Sequence, residues 1–109
     1  MRPEALKGHL DALLLAVVAK EPAHGYAILE RLRERSGGAF DLPEGTIYPA
    51  LHRLEDAGLL KSSWAPGATR RRRVYAVTAR GRRALGSARG EWRAFSQAVD
   101  SVLGGAASA

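Results

Sequence analysis

The sequence predicts a mainly α fold with a small β-hairpin and one C-terminal dimerisation helix, and three observations predict it. Apolar residues recur at helical spacing in three stretches before residue 60. Two short extended runs then flank a Pro-Gly turn. A last stretch places six apolar residues in steps of three and four. With 109 residues and 46% hydrophobic content, the chain can build one domain with a modest core and is too short for two.

The first helix is expected from about Pro3 to Ala19, because Leu6, Leu10, Leu13, Leu14 and Val17 form one stripe and Pro3 suits a first turn. Leu15 and Val18 fall outside that stripe, so a second face must also be buried, and a partner subunit is one way to bury it. Pro22 breaks the chain. A second helix is expected from Gly25 to Ser36, with Tyr26, Leu29 and Leu32 on one side and Gly37-Gly38 ending it. The third lies within residues 42 to 60, where Ile47, Leu51 and Leu54 share a face and Tyr48, His52 and Arg53 point elsewhere. Pro49 conflicts with a start at Pro43, since it removes the amide that would bond the Gly45 carbonyl; the helix either begins near Thr46 or is irregular in its first turns.

Extended runs at 59–64 and 72–77 flank Ala65-Pro66-Gly67-Ala68-Thr69, which gives a hairpin with a basic return strand. Thr78 can cap the last helix, along which Leu85, Ala88, Trp92, Phe95, Val99 and Val102 form a helix-packing seam. Gly86 and Gly90 each cost that helix about 1 kcal/mol relative to Ala, so packing must stabilise it. Residues 104–109 are expected to be a disordered tail, 79–103 the dimerisation helix, and 1–78 a single domain.

Charge is distributed unevenly. Residues 1–60 carry −2 and residues 84–109 are neutral, while residues 61–83 carry +8 from Lys61, Arg70, Arg71, Arg72, Arg73, Arg80, Arg82 and Arg83 with no acidic residue. One element of the fold therefore faces a polyanion, or else is a solvated basic loop. The chain has no cysteine, which excludes disulfides, thiolate zinc sites and cysteine nucleophiles and fits a cytoplasmic protein. The apolar run Leu13 to Ala19 is bracketed by Asp11 and Lys20 and is too short to span a bilayer, so no membrane partner is expected.

Three helices followed by a hairpin is the order of a winged helix-turn-helix, in which the third helix enters the major groove and the wing lies over phosphates. On that reading Tyr48, His52 and Arg53 face DNA bases, Thr46 either caps the helix or contacts phosphate, and Lys61, Arg70, Arg71, Arg72 and Arg73 contact phosphates. The same chain resembles the PadR-like transcriptional regulators. The resemblance rests on Leu6-Lys7-Gly8, on His24-Gly25-Tyr26-Ala27-Ile28, on Gly45-Thr46-Ile47-Tyr48-Pro49-Ala50-Leu51 with Arg53-Leu54-Glu55 and Gly58-Leu59, and on Arg73-Val74-Tyr75-Ala76-Val77-Thr78 with Gly81. It implies a homodimer joined through the C-terminal helix, usually a repressor relieved by a small molecule, and the single helix after the wing resembles the short branch of that family.

Competing explanations are plainer. Tyr26 and Tyr75 are expected as core or core-edge aromatics, and Trp92 as a seam residue first and, with Phe95, as the site of an aromatic effector second. His9, His24 and His52 lack ligand spacing, so no metal, cofactor or catalytic set is expected. A protein-interaction module would explain the apolar seam but not the +8 segment.

Overall fold

The computed structural model describes residues 6, 8–67 and 72–104. The expectations for Arg70 and Arg71, for a helix start at Pro3 and for the tail beyond 104 lie outside the described residues.

Helix α1 (Leu10–Lys20) begins after a turn at Gly8 and His9, where the His9 amide donates to the Leu6 carbonyl at 2.8 Å and His9 leaves helical geometry at φ −123°, ψ −10°. The stripe expected to run unbroken from Leu6 to Leu10 is therefore interrupted, as a glycine that stabilises no helix allows. Leu10, Leu14, Leu15, Val17 and Val18 are all buried. The second apolar face is covered by this chain's own elements rather than left for a partner, because α1 packs centrally against helices and sheet alike.

Strand β1 (Ala23–His24) was not legible in the sequence, since two residues carry no period. Helix α2 (Gly25–Arg35) follows at once, with the His24 Nδ1 accepting from the Ala27 amide at 3.3 Å as its cap. Ile28 and Leu32 enter the core, whereas Tyr26 is 52% exposed, which corrects its expected core position. Gly37 and Gly38, at φ +63° and +88°, turn the chain out of the helix, and the Gly38 amide reaches back to the Arg33 carbonyl at 2.8 Å.

Helix α3 (Glu44–Asp56) decides the Pro49 question in favour of an early start with proline inside. Gly45 is exposed, so the carbonyl deprived of the residue-49 amide faces water and the loss is cheap there. Ile47, Ala50, Leu51 and Leu54 form its buried face.

The wing is β2 (Leu60–Trp64) and β3 (Arg73–Val77), paired antiparallel from Leu60 opposite Val77 to Trp64 opposite Arg73. On the other side of β3, Ala23 and His24 pair with Tyr75 and Val74, so the sheet has three strands in the order β1-β3-β2. Leu60 and Tyr75 point inward from it. The result is a winged helix-turn-helix whose hairpin is stitched to the entrance of α2.

Helix α4 (Ala79–Leu103) is capped by Thr78, whose Oγ1 accepts from the Gly81 amide at 3.0 Å. At about 1.5 Å per residue it is roughly 37 Å long. Only Gly81 and Leu85 are buried, and beyond them it projects from the body, giving extents of 55 × 27 × 21 Å. Leu85, expected at a seam with a partner, instead closes the core of its own chain. Farther out, Ala88 and Val99 are half-buried, while Trp92 (54%), Phe95 (59%) and Val102 (84%) are open to solvent.

Candidate nucleic-acid interface

A cleft of about 680 Å³ opens between the first half of α3, the entrance of α2 and the base of the wing. Helix α3 contributes Glu44, Tyr48 and His52; α2 and its cap contribute His24 and Tyr26; the wing contributes Trp64, Arg72 and Arg73. The sequence identified Tyr48, His52, Arg72 and Arg73 in this group. It missed His24 and Tyr26, whose placement depends on β1, and also Glu44 and Trp64, which it did not single out as site residues.

Tyr48 is less free than its expected outward position implied. It is half-buried, and its ring lies against the backbone of Gly25: a Cβ added there would stand 2.4 Å from the ring Cε1. Glycine at 25 is thus required for the tyrosine to lean across α2 and hold its hydroxyl at the cleft. His52, one turn on, is exposed.

Arg53 and Thr46 are placed elsewhere. The Arg53 guanidinium pairs with the Asp11 carboxylate of α1, and Arg53 does not line the cleft. Thr46 is exposed within the first turn of α3, where Pro43 holds the cap position, so the capping role expected as one alternative is not taken. Lys61 is exposed on β2.

Arg73 is the most engaged of the wing cations. Its Nη1 donates to the Ser62 Oγ at 2.9 Å and stands 3.9 Å from the Glu55 Oε2, while its guanidinium lies 4.7 Å from the centroid of Trp64. The Ser62 hydroxyl in turn donates to Glu55. Each partly exposed contact contributes modestly, about 0.2–1 kcal/mol, but together they fix the wing to the last turn of α3. Burial pushes the Tyr75 phenol above its ordinary pKa; the Glu55 carboxylate adds to that and the Arg73 charge opposes it. The phenol therefore stays neutral and packs as a core group.

A second aromatic group lies on α4, away from the cleft. The His9 ring meets the Trp92 ring edge-on with centroids 5.2 Å apart, and Trp92 lies 6.0 Å from Phe95 at 40°. No helix among the described residues is long and apolar enough to cross a membrane.

The model of the transcriptional regulator PadR-like family matches residues 14–87. Transcriptional regulator Rv3488 of Mycobacterium tuberculosis is 39% identical over 92 residues, covering 84% of this chain and 80% of that protein. Among solved structures, a PadR family transcriptional regulator from Eggerthella lenta is similar at 33% identity and a TM-score of 0.81, covering 92% of this chain and 86% of its own. A transcriptional regulator from Clostridium thermocellum is similar at 25% identity and a TM-score of 0.84, covering 93% and 96%.

Proposed function

The chain belongs to the PadR-like family of transcriptional regulators, and from that premise we propose that it is a cytoplasmic, homodimeric repressor that binds an inverted-repeat operator in double-stranded DNA. Helix α3 lies in the major groove with Tyr48 and His52 toward the bases, and the wing lies on the flanking phosphates. The observation that carries this reading is the juxtaposition of two wing arginines with α3: Arg72 and Arg73 border the same cleft as Tyr48 and His52. Such a chain acts by occupancy and needs no catalytic group, metal or cofactor. The exposed pair Trp92 and Phe95 on α4 is the proposed seat of a small aromatic effector that shifts the two DNA-reading units relative to each other.

Binding to operator and to random duplexes at two salt concentrations tests the reading. The wild type should lose affinity steeply with salt, by a log–log slope of about −0.9 per phosphate contacted. A salt-independent or undetectable interaction with DNA overturns it. Within that assay, Gly25→Ala should melt within about 1 kcal/mol of the wild type, because a tyrosine ring can swing aside. It should nevertheless erode preference for operator over random DNA by displacing Tyr48. Unchanged preference removes Tyr48 from base reading.

A further inference from the structure

We propose that His24 and Arg72 form a phosphate-binding pair that grips one DNA backbone phosphate between the entrance of α2 and the base of the wing, an inference that rests on the DNA-binding reading above. A neutral imidazole has one nitrogen that accepts and one that donates, and an imidazolium has none that accepts. At His24 two donors approach the two nitrogens: the Ala27 amide lies 3.3 Å from Nδ1 and the Arg72 Nη1 lies 3.3 Å from Nε2. Only one of them can be served.

The Ala27 amide is one of the first of α2, part-buried and without an intrahelical carbonyl to bond, whereas Arg72 is exposed and hydrated. Nδ1 therefore accepts from Ala27 and the ring proton sits on Nε2. The Nε2–H and a guanidinium N–H then stand side by side as two donors with no acceptor between them. An anionic oxygen from outside resolves the conflict by accepting from both.

The pair is also held in place. His24 is fixed opposite Val74 by the β1–β3 ladder, and the Arg72 carbonyl accepts from the Ala65 amide at 2.8 Å across the hairpin. Among the described residues, no carboxylate forms an ion pair with Arg72, and Glu44, which lines the same cleft, leaves it unneutralised. Phosphate diesters beside a helix lying in the major groove supply the missing acceptor.

The test uses the full chain and fluorescent duplexes of both operator and random sequence. Ser and Asp are preferred helix caps, so His24→Ser and His24→Asp keep the start of α2 while removing the Nε2–H. His24→Ser should weaken binding to all duplexes alike, by roughly three- to tenfold, with the salt slope unchanged because a neutral donor is lost. His24→Asp, which sets a negative charge against the phosphate, should weaken binding more. Arg72→Ala should weaken it and flatten the slope by about one unit. Since both residues hold one oxyanion, the double variant His24→Ser/Arg72→Ala should lose less than the product of the single losses. In a scan of single methylphosphonate linkages, one position per half-site should weaken the wild type and weaken Arg72→Ala distinctly less. Wild-type affinity in His24→Asp, strictly multiplicative losses, or a scan without such a position overturns the pair. The scan uses only wild-type protein and Arg72→Ala, so a scan without such a position overturns the pair even if the His24 variants misfold. Wild type that binds no duplex refutes the DNA-binding reading itself.

Discussion

Phe95→Asp should convert a dimer into a monomer, seen as a halved mass in sedimentation, and lower operator affinity by roughly 10²- to 10⁴-fold. The ring is 59% exposed on a single chain, so aspartate there removes little from the core. Beyond Leu85, the projecting part of α4 carries Trp92, Phe95, Val102 and Leu103 in the open. Burying each of these contributes about 1.5–3 kcal/mol, whereas a carboxylate desolvated among them costs more than one aromatic contact provides. In the proposed dimer the effect on DNA follows from linkage: two DNA-reading units held by one pair of helices would bind the second half-site at high effective concentration, and separation would forfeit that gain. The melting temperature of the remaining monomer should track its own core. A Phe95→Asp protein that stays dimeric and binds operator normally moves the interface elsewhere.

Where one period governed many residues, the fold was legible. The buried faces of α1 and α3, the hairpin and the capping of α4 by Thr78 all follow from spacing and from single strong signals such as Pro66-Gly67. What the sequence did not disclose came from contacts between elements distant along the chain. The placement of β1 depends on pairing with a strand some 50 residues later, and His24 and Tyr26 reach the cleft only through it. Periodicity put Tyr48, His52 and Arg53 on one outward side, yet Tyr48 leans on Gly25 and Arg53 turns to Asp11, because long side chains choose partners that spacing does not record. The +8 charge of residues 61–83 pointed to a basic wing, although Arg80, Arg82 and Arg83 lie on α4, and it did not separate Arg73, which is tied to Glu55, Ser62 and Trp64, from Arg72, which is not.

The same contrast between local and tertiary terms predicts the sign of two substitutions in α4. On propensity alone, Gly81→Ala and Gly86→Ala should each stabilise the helix by up to about 1 kcal/mol. Gly86 meets nothing within 4 Å, and its alanine variant should realise part of that gain. Gly81 is different. A Cβ there would stand 2.1 Å from the Leu59 carbonyl oxygen and 2.7 Å from the Val77 Cγ2. The obstructing oxygen is backbone, and it also accepts from the Thr78 amide at 3.1 Å where the chain leaves α3 for the wing. It cannot swing away as a side chain does. The first turn of α4 must therefore lift, which strains the Thr78 cap and the bond from its hydroxyl to the Gly58 carbonyl at 2.7 Å. Overpacking of this kind costs about 1–3 kcal/mol, and loss of the cap about 1 kcal/mol more. Against a total stability on the order of 5–15 kcal/mol, Gly81→Ala should lower the melting temperature by roughly 10–20 °C, measured by circular dichroism beside Gly86→Ala. Because α4 would leave the body at a changed angle, operator affinity of the protein that remains folded should fall as well. A Gly81→Ala variant melting at or above the wild type would mean that α4 does not sit against the Leu59 carbonyl, and that the wing and the projecting helix are not joined through this contact.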